Sequence, residues 1–128
     1  METKLKVHHF SNSVKFPEKS KAVFKILVIK AKAKKKIHYS DLMSKERISR
    51  RWIGTVVGDI GNYLKKMNVP LLNAIVIRKD TGYPNRNGFG PYIGDDFATI
   101  SENEYRRRVE AIWEEVFNFE HWDEVSSL

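Results

Sequence analysis

The chain has 128 residues, 41% hydrophobic and 30% charged, which suits one folded domain with its own core. It has no cysteine, which excludes disulfides, thiol nucleophiles and thiolate metal sites together and fits a reducing compartment. The net charge of +7 is unevenly spread: residues 1–66 carry 17 Lys and Arg against 5 Asp and Glu, and residues 67–128 carry 6 against 11.

A basic half joined to an acidic half suggests one surface for a polyanion and another turned away from it. No apolar run approaches a membrane span. The start, "METKLKVHHFSNSV", lacks the apolar centre of a secretory signal, so a cytoplasmic protein is expected, nucleoid-associated if bacterial.

Residues 1–16 are expected to form an irregular arm with a short strand at Lys4–Phe10. Pro17 can open a helix, because proline is tolerated in a first turn. Beyond it Val23, Phe24, Leu27 and Val28 recur at helical spacing, with Ile26 and Ile29 widening the face. Ile37–Tyr39 reads as a short extended segment. Ser40 is placed as the N-cap of a brief helix through Met43, and Ser49 as the N-cap of the next helix. In that second helix Ile53, Val56, Val57, Ile60, Leu64 and Met67 share one face, and Arg51, Thr55, Asp59, Asn62 and Lys66 share the other. Ala74–Arg78 is a β-branched run suited to a strand, and Asp80-Thr81-Gly82 is turn chemistry. From there to Gly94, Gly, Pro and Asn predict a long loop or wing. Ser101 and Glu104 form a capping box, opening a helix with Tyr105, Val109, Ile112, Val116 and Phe117 on one face. Residues 118–128 form an aromatic tail.

This order predicts a single α+β, mainly helical domain over residues 1–128. It is closest to a winged helix-turn-helix with a long Gly/Pro-rich wing and a C-terminal helix. In such folds the second helix of the pair enters the major groove with its N-terminal residues leading.

The helix from Ser49 carries Gly54, Gly58 and Gly61, each less favourable than alanine by about 1 kcal/mol in a helix interior. Their spacing of four and three places them broadly on one side. Either a neighbouring element packs there, or a nucleic-acid backbone approaches. Arg50 and Arg51 stand at the helix start, where the dipole disfavours cations. An anionic partner offsets that placement; a solvated pair near Asp41 or Glu46 is the alternative.

Lys30, Lys32, Lys34, Lys35 and Lys36 either contact phosphates or form a solvated helix end. In the wing Arg78, Lys79 and Arg86 are interleaved with Tyr83 and Phe89, which suits stacking on bases unless the rings fold back onto the core. Arg106, Arg107 and Arg108 beside Glu110, Glu114 and Glu115 read as a solvent face of mutually neutralising pairs. Phe117, Phe119 and Trp122 either close the core over the first helix or meet a partner chain, including a second copy.

The four histidines lack metal-ligand spacing. Asp95 and Asp96, with Glu102 and Glu104, lack the convergence of a metal-dependent nuclease. There is no phosphate-binding loop and no dinucleotide fingerprint. No metal, no cofactor and no enzymatic activity is expected.

The segment "KIHYSDLMSKERISRRWIG" resembles the C-terminal DNA-binding domain of the alkylguanine-DNA alkyltransferases and the alkyltransferase-like proteins. Tyr39-Ser40-Asp41-Leu42-Met43 stands for that family's Y-x-x-L-A pattern, and Arg51-Trp52-Ile53-Gly54 for its R-x-V-G. "VPLL" at Val69–Leu72 stands at the proline approach, and "IRKDTGYPNRNG" at the wing. The resemblance covers Phe16 to Gly94. It implies a winged-helix fold, Arg51 as the finger filling the space of a flipped base, and Tyr39 against the phosphate. The family's P-C-H-R is missing, because Asn73-Ala74-Ile75-Val76-Ile77-Arg78 stands there, so alkyl transfer to a thiolate is impossible and binding is what remains.

The expectation is therefore a non-enzymatic binder of double-stranded DNA, with RNA as a second ligand class. Arg50, Arg51, Thr55 and Asn62 would face the nucleic acid. Tyr39 and the lysine cluster would touch phosphates, and Arg78, Lys79 and Arg86 would reach the neighbouring backbone. Two alternatives stand beside it: a protein-interaction or inhibitor module of phage or mobile-element type, and a nucleotide pocket between the wing and the glycine-bearing helix.

Overall fold

In the computed structural model the described residues are 17–126. The arm and the strand expected at Lys4–Phe10 lie outside them. Helix α1, Pro17–Lys32, buries Val23, Phe24, Leu27 and Val28 as predicted. Ile29 does not widen that face: it is 67% exposed. With Leu27 and Val28 both turned to the core, one further residue rotates out toward solvent. The helix is closed by Lys34 in the left-handed region, φ 57°, and by the Lys35 N–H donating to the Lys30 carbonyl at 2.8 Å.

Strand β1, Ile37–His38, pairs in parallel with β2, Val76–Ile77, with Ile37 opposite Val76 and His38 opposite Ile77. Helix α2, Tyr39–Glu46, starts directly from β1, so its N-cap is His38. Ser40 is therefore not the cap. Strand pairing holds the chain extended only through His38, the helix begins at Tyr39, and Ser40 falls inside the first turn. Arg47, φ 54°, ends α2.

Helix α3, Arg50–Met67, follows an extended Ser49 whose side chain makes no capping bond. All six apolar residues assigned to its inner face are buried, together with Gly61 and Tyr63. Asn68, φ 57°, ends it. A buried 3-10 turn, Leu72–Ile75, leads into β2. The expected strand over Ala74–Arg78 thus contracts to two residues. The partner β1 is equally short, and the Ala74 carbonyl is taken by the Trp113 indole N–H at 2.7 Å.

The Gly/Pro-rich stretch is organised as more than a loop. Residues 78–83 form a tight turn in which the Arg78 N–H donates to Tyr83 O and the Gly82 N–H to Arg78 O, both at 2.9 Å. Gly82 takes φ 75°, which a side chain rarely tolerates. Asn85 caps the short helix α4, Arg86–Phe89, and a 3-10 turn, Gly90–Tyr92, continues it. At Gly90 a Cβ would lie 2.2 Å from the Phe97 ring, so only glycine admits that ring.

Helix α5, Glu102–Asn118, opens at the predicted cap, with Ser101 Oγ accepting from the Glu104 N–H at 3.1 Å, but only this half of the capping box forms, because the Glu104 carboxylate is taken by Arg107 and Arg108. Its inner face differs in detail: Trp113 is buried, while Ile112 and Phe117 are only partly so. Helix α6, Trp122–Ser126, packs on α1 through Trp122, which is 2% exposed and donates from its indole to Val116 O. The core lies where α1 and α3 pack against each other and against the Leu72–Ile75 turn. The domain is α+β and mostly helical, with one two-stranded sheet. Among the described residues no helix is long and apolar enough to cross a membrane.

Candidate functional site

Parallel pairing of β1 with β2 sets the start of α2 beside the chain that leaves β2. Helix α3 runs along one side of this junction and α4 along the other. Between them is a groove of about 540 Å³. Tyr39, Ser40 and Met43 of α2 line one end, and Arg50, Gly54 and Gly58 of α3 line a side. Arg78, Lys79 and Asp80 stand opposite, with Asn85, Phe89 and Tyr92 beyond them. Asn73, from the buried turn before β2, also reaches it.

The three helix glycines divide into two kinds. A Cβ at Gly54 or Gly58 would meet nothing within 4 Å, so this part of α3 shows bare backbone to the groove. At Gly61 a Cβ would stand 2.5 Å from Asn73 Nδ2 and 2.7 Å from the Tyr92 hydroxyl, so there the close approach is by the protein itself. The Tyr92 hydroxyl lies 2.8 Å from Asn62 Oδ1 and 3.1 Å from the Gly58 carbonyl. Asn62 thus anchors the far wall.

Tyr39 accepts a hydrogen bond from the Asn85 N–H at 3.3 Å, tying α2 to α4. Burial pushes its pKa above the usual phenol value, against smaller opposing effects of that hydrogen bond and of the Arg78 charge. Its hydroxyl is neutral at physiological pH. Arg78 is held by Asp80 through two parallel bonds, Nε to Oδ1 at 2.9 Å and Nη2 to Oδ2 at 2.7 Å. Hydrogen bonding from Arg78 keeps the Asp80 carboxyl below the ordinary range. Arg50 and Lys79 are exposed, and neither forms a salt bridge among the described residues.

Tyr39, Arg50, Arg78 and Lys79, with Gly54 and Gly58, are the sequence-predicted residues that the fold brings together. Arg51 is exposed but outside the groove lining, its guanidinium 5.0 Å from the Trp52 ring centre. Thr55 is half-buried on α3 and outside the groove lining. The lysine cluster is divided. Lys32 pairs with Asp123 at 2.8 Å, and Lys36 sits 3.7 Å from the centre of the Trp113 ring. Lys34 and Lys35 are exposed and Lys30 half-exposed.

Arg86 is turned inward. Its Nε donates to Phe97 O at 3.0 Å, and its terminal nitrogens reach Ile100 O and Glu102. It braces the 86–102 segment. The aromatics expected to stack on bases are folded back instead: Phe89 is buried, and Tyr83 stacks on Trp113. The arginines of α5 pair toward its N-terminus instead of with Glu110, Glu114 and Glu115. Arg106 bonds Glu102, Arg107 bonds Glu104, and Arg108 bonds Glu104 and Asp96. Glu110 accepts from the Tyr83 hydroxyl. Among the described residues no three His, Asp or Glu side chains gather to hold a metal. Phe117 and Phe119 pack partly buried against the core, and Trp122 is enclosed by it.

Asn73, Ser40, Asn85 and Tyr92 were not among the predicted site residues. Asn73 did leave a signal, as the one amide inside the apolar run "VPLLNAIVI". Its side-chain Oδ1 and the Ser40 hydroxyl are both buried without a hydrogen-bond partner.

No protein-family model, no curated protein and no solved structure matches the chain.

Proposed function

We propose that the protein binds nucleic acid without chemical conversion, with double-stranded DNA as its ligand. Helices α2 and α3 act as a helix-turn-helix pair and the 78–83 turn as a compact wing. The observation that carries this reading is the meeting of Arg50, Arg78 and Lys79 along one groove edged by the bare backbone of Gly54 and Gly58. These cations come from separate parts of the chain, yet they stand together with Tyr39 at the start of two helices.

The physical case is electrostatic first. Each cation that neutralises a phosphate releases condensed counterions, so binding of this kind weakens as salt rises. The first turn of α3 has no side-chain cap, which leaves helix N–H groups to point at the same anion as Arg50 and Arg51. Glycine on that side lets a phosphate backbone come closer than any side chain would allow. The alkyltransferase resemblance agrees with Arg51 as an exposed finger at the start of α3. Without cysteine such a domain retains recognition alone.

The test is fluorescence anisotropy with duplex and single-stranded DNA and RNA across a salt series. Arg50→Ala and Arg51→Ala should each weaken duplex binding by about 1–3 kcal/mol if the contacts are specific. Affinity indifferent to both substitutions and to salt would reject the proposal.

A further inference from the structure

We infer that the outer face of α1 is a docking surface for an acidic amphipathic helix of another protein, which covers Ile29 and sets its carboxylates against Lys25 and Lys30. This goes beyond nucleic-acid binding and does not rest on it.

The first observation is an apolar stripe that the core does not use. Among the described residues Ile29 is the one large apolar side chain left exposed, at 67%. One such residue alone is ordinary on a protein surface. Ile29 is not alone. Ala22 and Ile26 precede it half-buried, and Ala33 follows it, exposed in the turn that ends α1, its N–H still donating to the Ile29 carbonyl at 3.2 Å. The steps are four, three and four residues, so these four side chains run down one side of the helix. That is the spacing of a seam between two helices. The core takes the nearly opposite side, through Val23, Phe24, Leu27 and Val28.

The second observation is the charge along that stripe. Helical spacing sets Lys25 and Lys32 on one flank and Lys30 on the other. Lys32 is held by Asp123 of α6 at 2.8 Å. Lys25 and Lys30 form no salt bridge among the described residues.

These two observations together select the occupant. An apolar seam with lysine on both flanks fits a helix whose own seam is flanked by carboxylates. A second α1 does not fit, because lysine would meet lysine whether the two helices ran parallel or antiparallel. The phosphates of a duplex would meet the lysines but leave Ile26 and Ile29 without apolar cover. An anionic bilayer would meet the Asp123 carboxylate beside Lys32, and one protruding isoleucine gives it little to take up.

The experiment is fluorescence anisotropy of the full chain with a labelled three-heptad peptide that carries leucine at the seam positions, glutamate on both flanks and alanine elsewhere. The same peptide with lysine on the flanks is the control. The expected result is saturable binding of the glutamate peptide, weakened by salt, and none of the lysine peptide. Ile29→Ser should lower that affinity at least about tenfold, the worth of one isoleucine covered on binding. It should leave duplex affinity unchanged, since Ile29 is not among the groove residues. Lys25→Glu combined with Lys30→Glu should abolish binding of the glutamate peptide and confer binding of the lysine peptide. All three are surface positions, and thermal melts check that the variants fold. No binding of the glutamate peptide at millimolar concentration overturns the inference. So does equal binding of both peptides, or binding that survives Ile29→Ser. Self-association, duplex binding or binding to phosphatidylglycerol vesicles that Ile29→Ser abolishes gives the face to another occupant, and overturns it too.

Discussion

Lys36 places its ammonium 3.7 Å from the centre of the Trp113 ring, and Tyr83 stacks on the same indole, 5.0 Å away at an interplanar angle of 23°. Arg106 places its guanidinium 4.7 Å from the centre of the Tyr83 ring. A cation, two rings and a second cation thus join the end of the lysine cluster, α5 and the 78–83 turn. The turn that carries Arg78 and Lys79 makes its hydrogen bonds within itself, and Tyr83 at its end ties it to α5 through this stack. Trp113→Ala removes the central ring and the bond to Ala74 O, and should destabilise by about 3–5 kcal/mol, as large aromatic truncations do. Lys36→Ala should cost only about 0.5–1 kcal/mol, the worth of an exposed cation–π contact. Urea unfolding of the two variants checks the ratio.

The two kinds of glycine in α3 predict opposite signs for one substitution. Gly58→Ala adds a methyl group to open space and should stabilise by about 1 kcal/mol through helix propensity. Gly61→Ala drives a methyl group to within 2.5 Å of Asn73 Nδ2 and should destabilise, because the Leu72–Ile75 turn behind Asn73 is fully buried. Thermal melts of the two single variants decide it. Equal destabilisation would show that the groove beside Gly58 is closed in solution, and equal stabilisation that Asn73 and Tyr92 stand clear of Gly61.

Acid stability should depend on Glu104. Hydrogen bonds from Arg107 and then Arg108 hold its carboxyl at about 2 in the folded protein, against 4.5 ordinarily. A folded value below the unfolded one means that the contribution is complete above about 4.5 and is lost as pH falls toward about 2. Asp96 is lowered by its hydrogen bonds from Arg108 and adds in the same direction. Glu104→Gln should therefore flatten the fall in unfolding midpoint across that window, and leave the profile above it parallel to the parent's. Both carboxylates are solvent-exposed enough that added salt should weaken the effect.

Asp80 holds Arg78 by two bonds at the edge of the groove, and its charge opposes any approaching phosphate. Asp80→Asn should raise affinity for duplex DNA and steepen its salt dependence, by a slope of about one for each phosphate contact that the freed guanidinium makes. Anisotropy titrations at several salt concentrations measure both. A variant that binds DNA no better than its parent would place Arg78 outside the contact surface.

Much of the architecture is written in local pattern. The spacing of Ile53, Val56, Val57, Ile60, Leu64 and Met67 determined the buried face of α3, and the Ser101–Glu104 pair determined the start of α5, because helical periodicity and capping act within a few residues. The position of Arg50, Arg78 and Lys79 as surface cations was legible for the same reason. Tertiary structure decided the rest. It turned Arg86 onto Phe97 and Ile100, laid Lys36 on Trp113, covered Gly61 with Asn73 and Tyr92, and left Gly54 and Gly58 open. Each of those outcomes is a contact between segments distant in sequence, and local preference carries no term for which distant side chain will arrive.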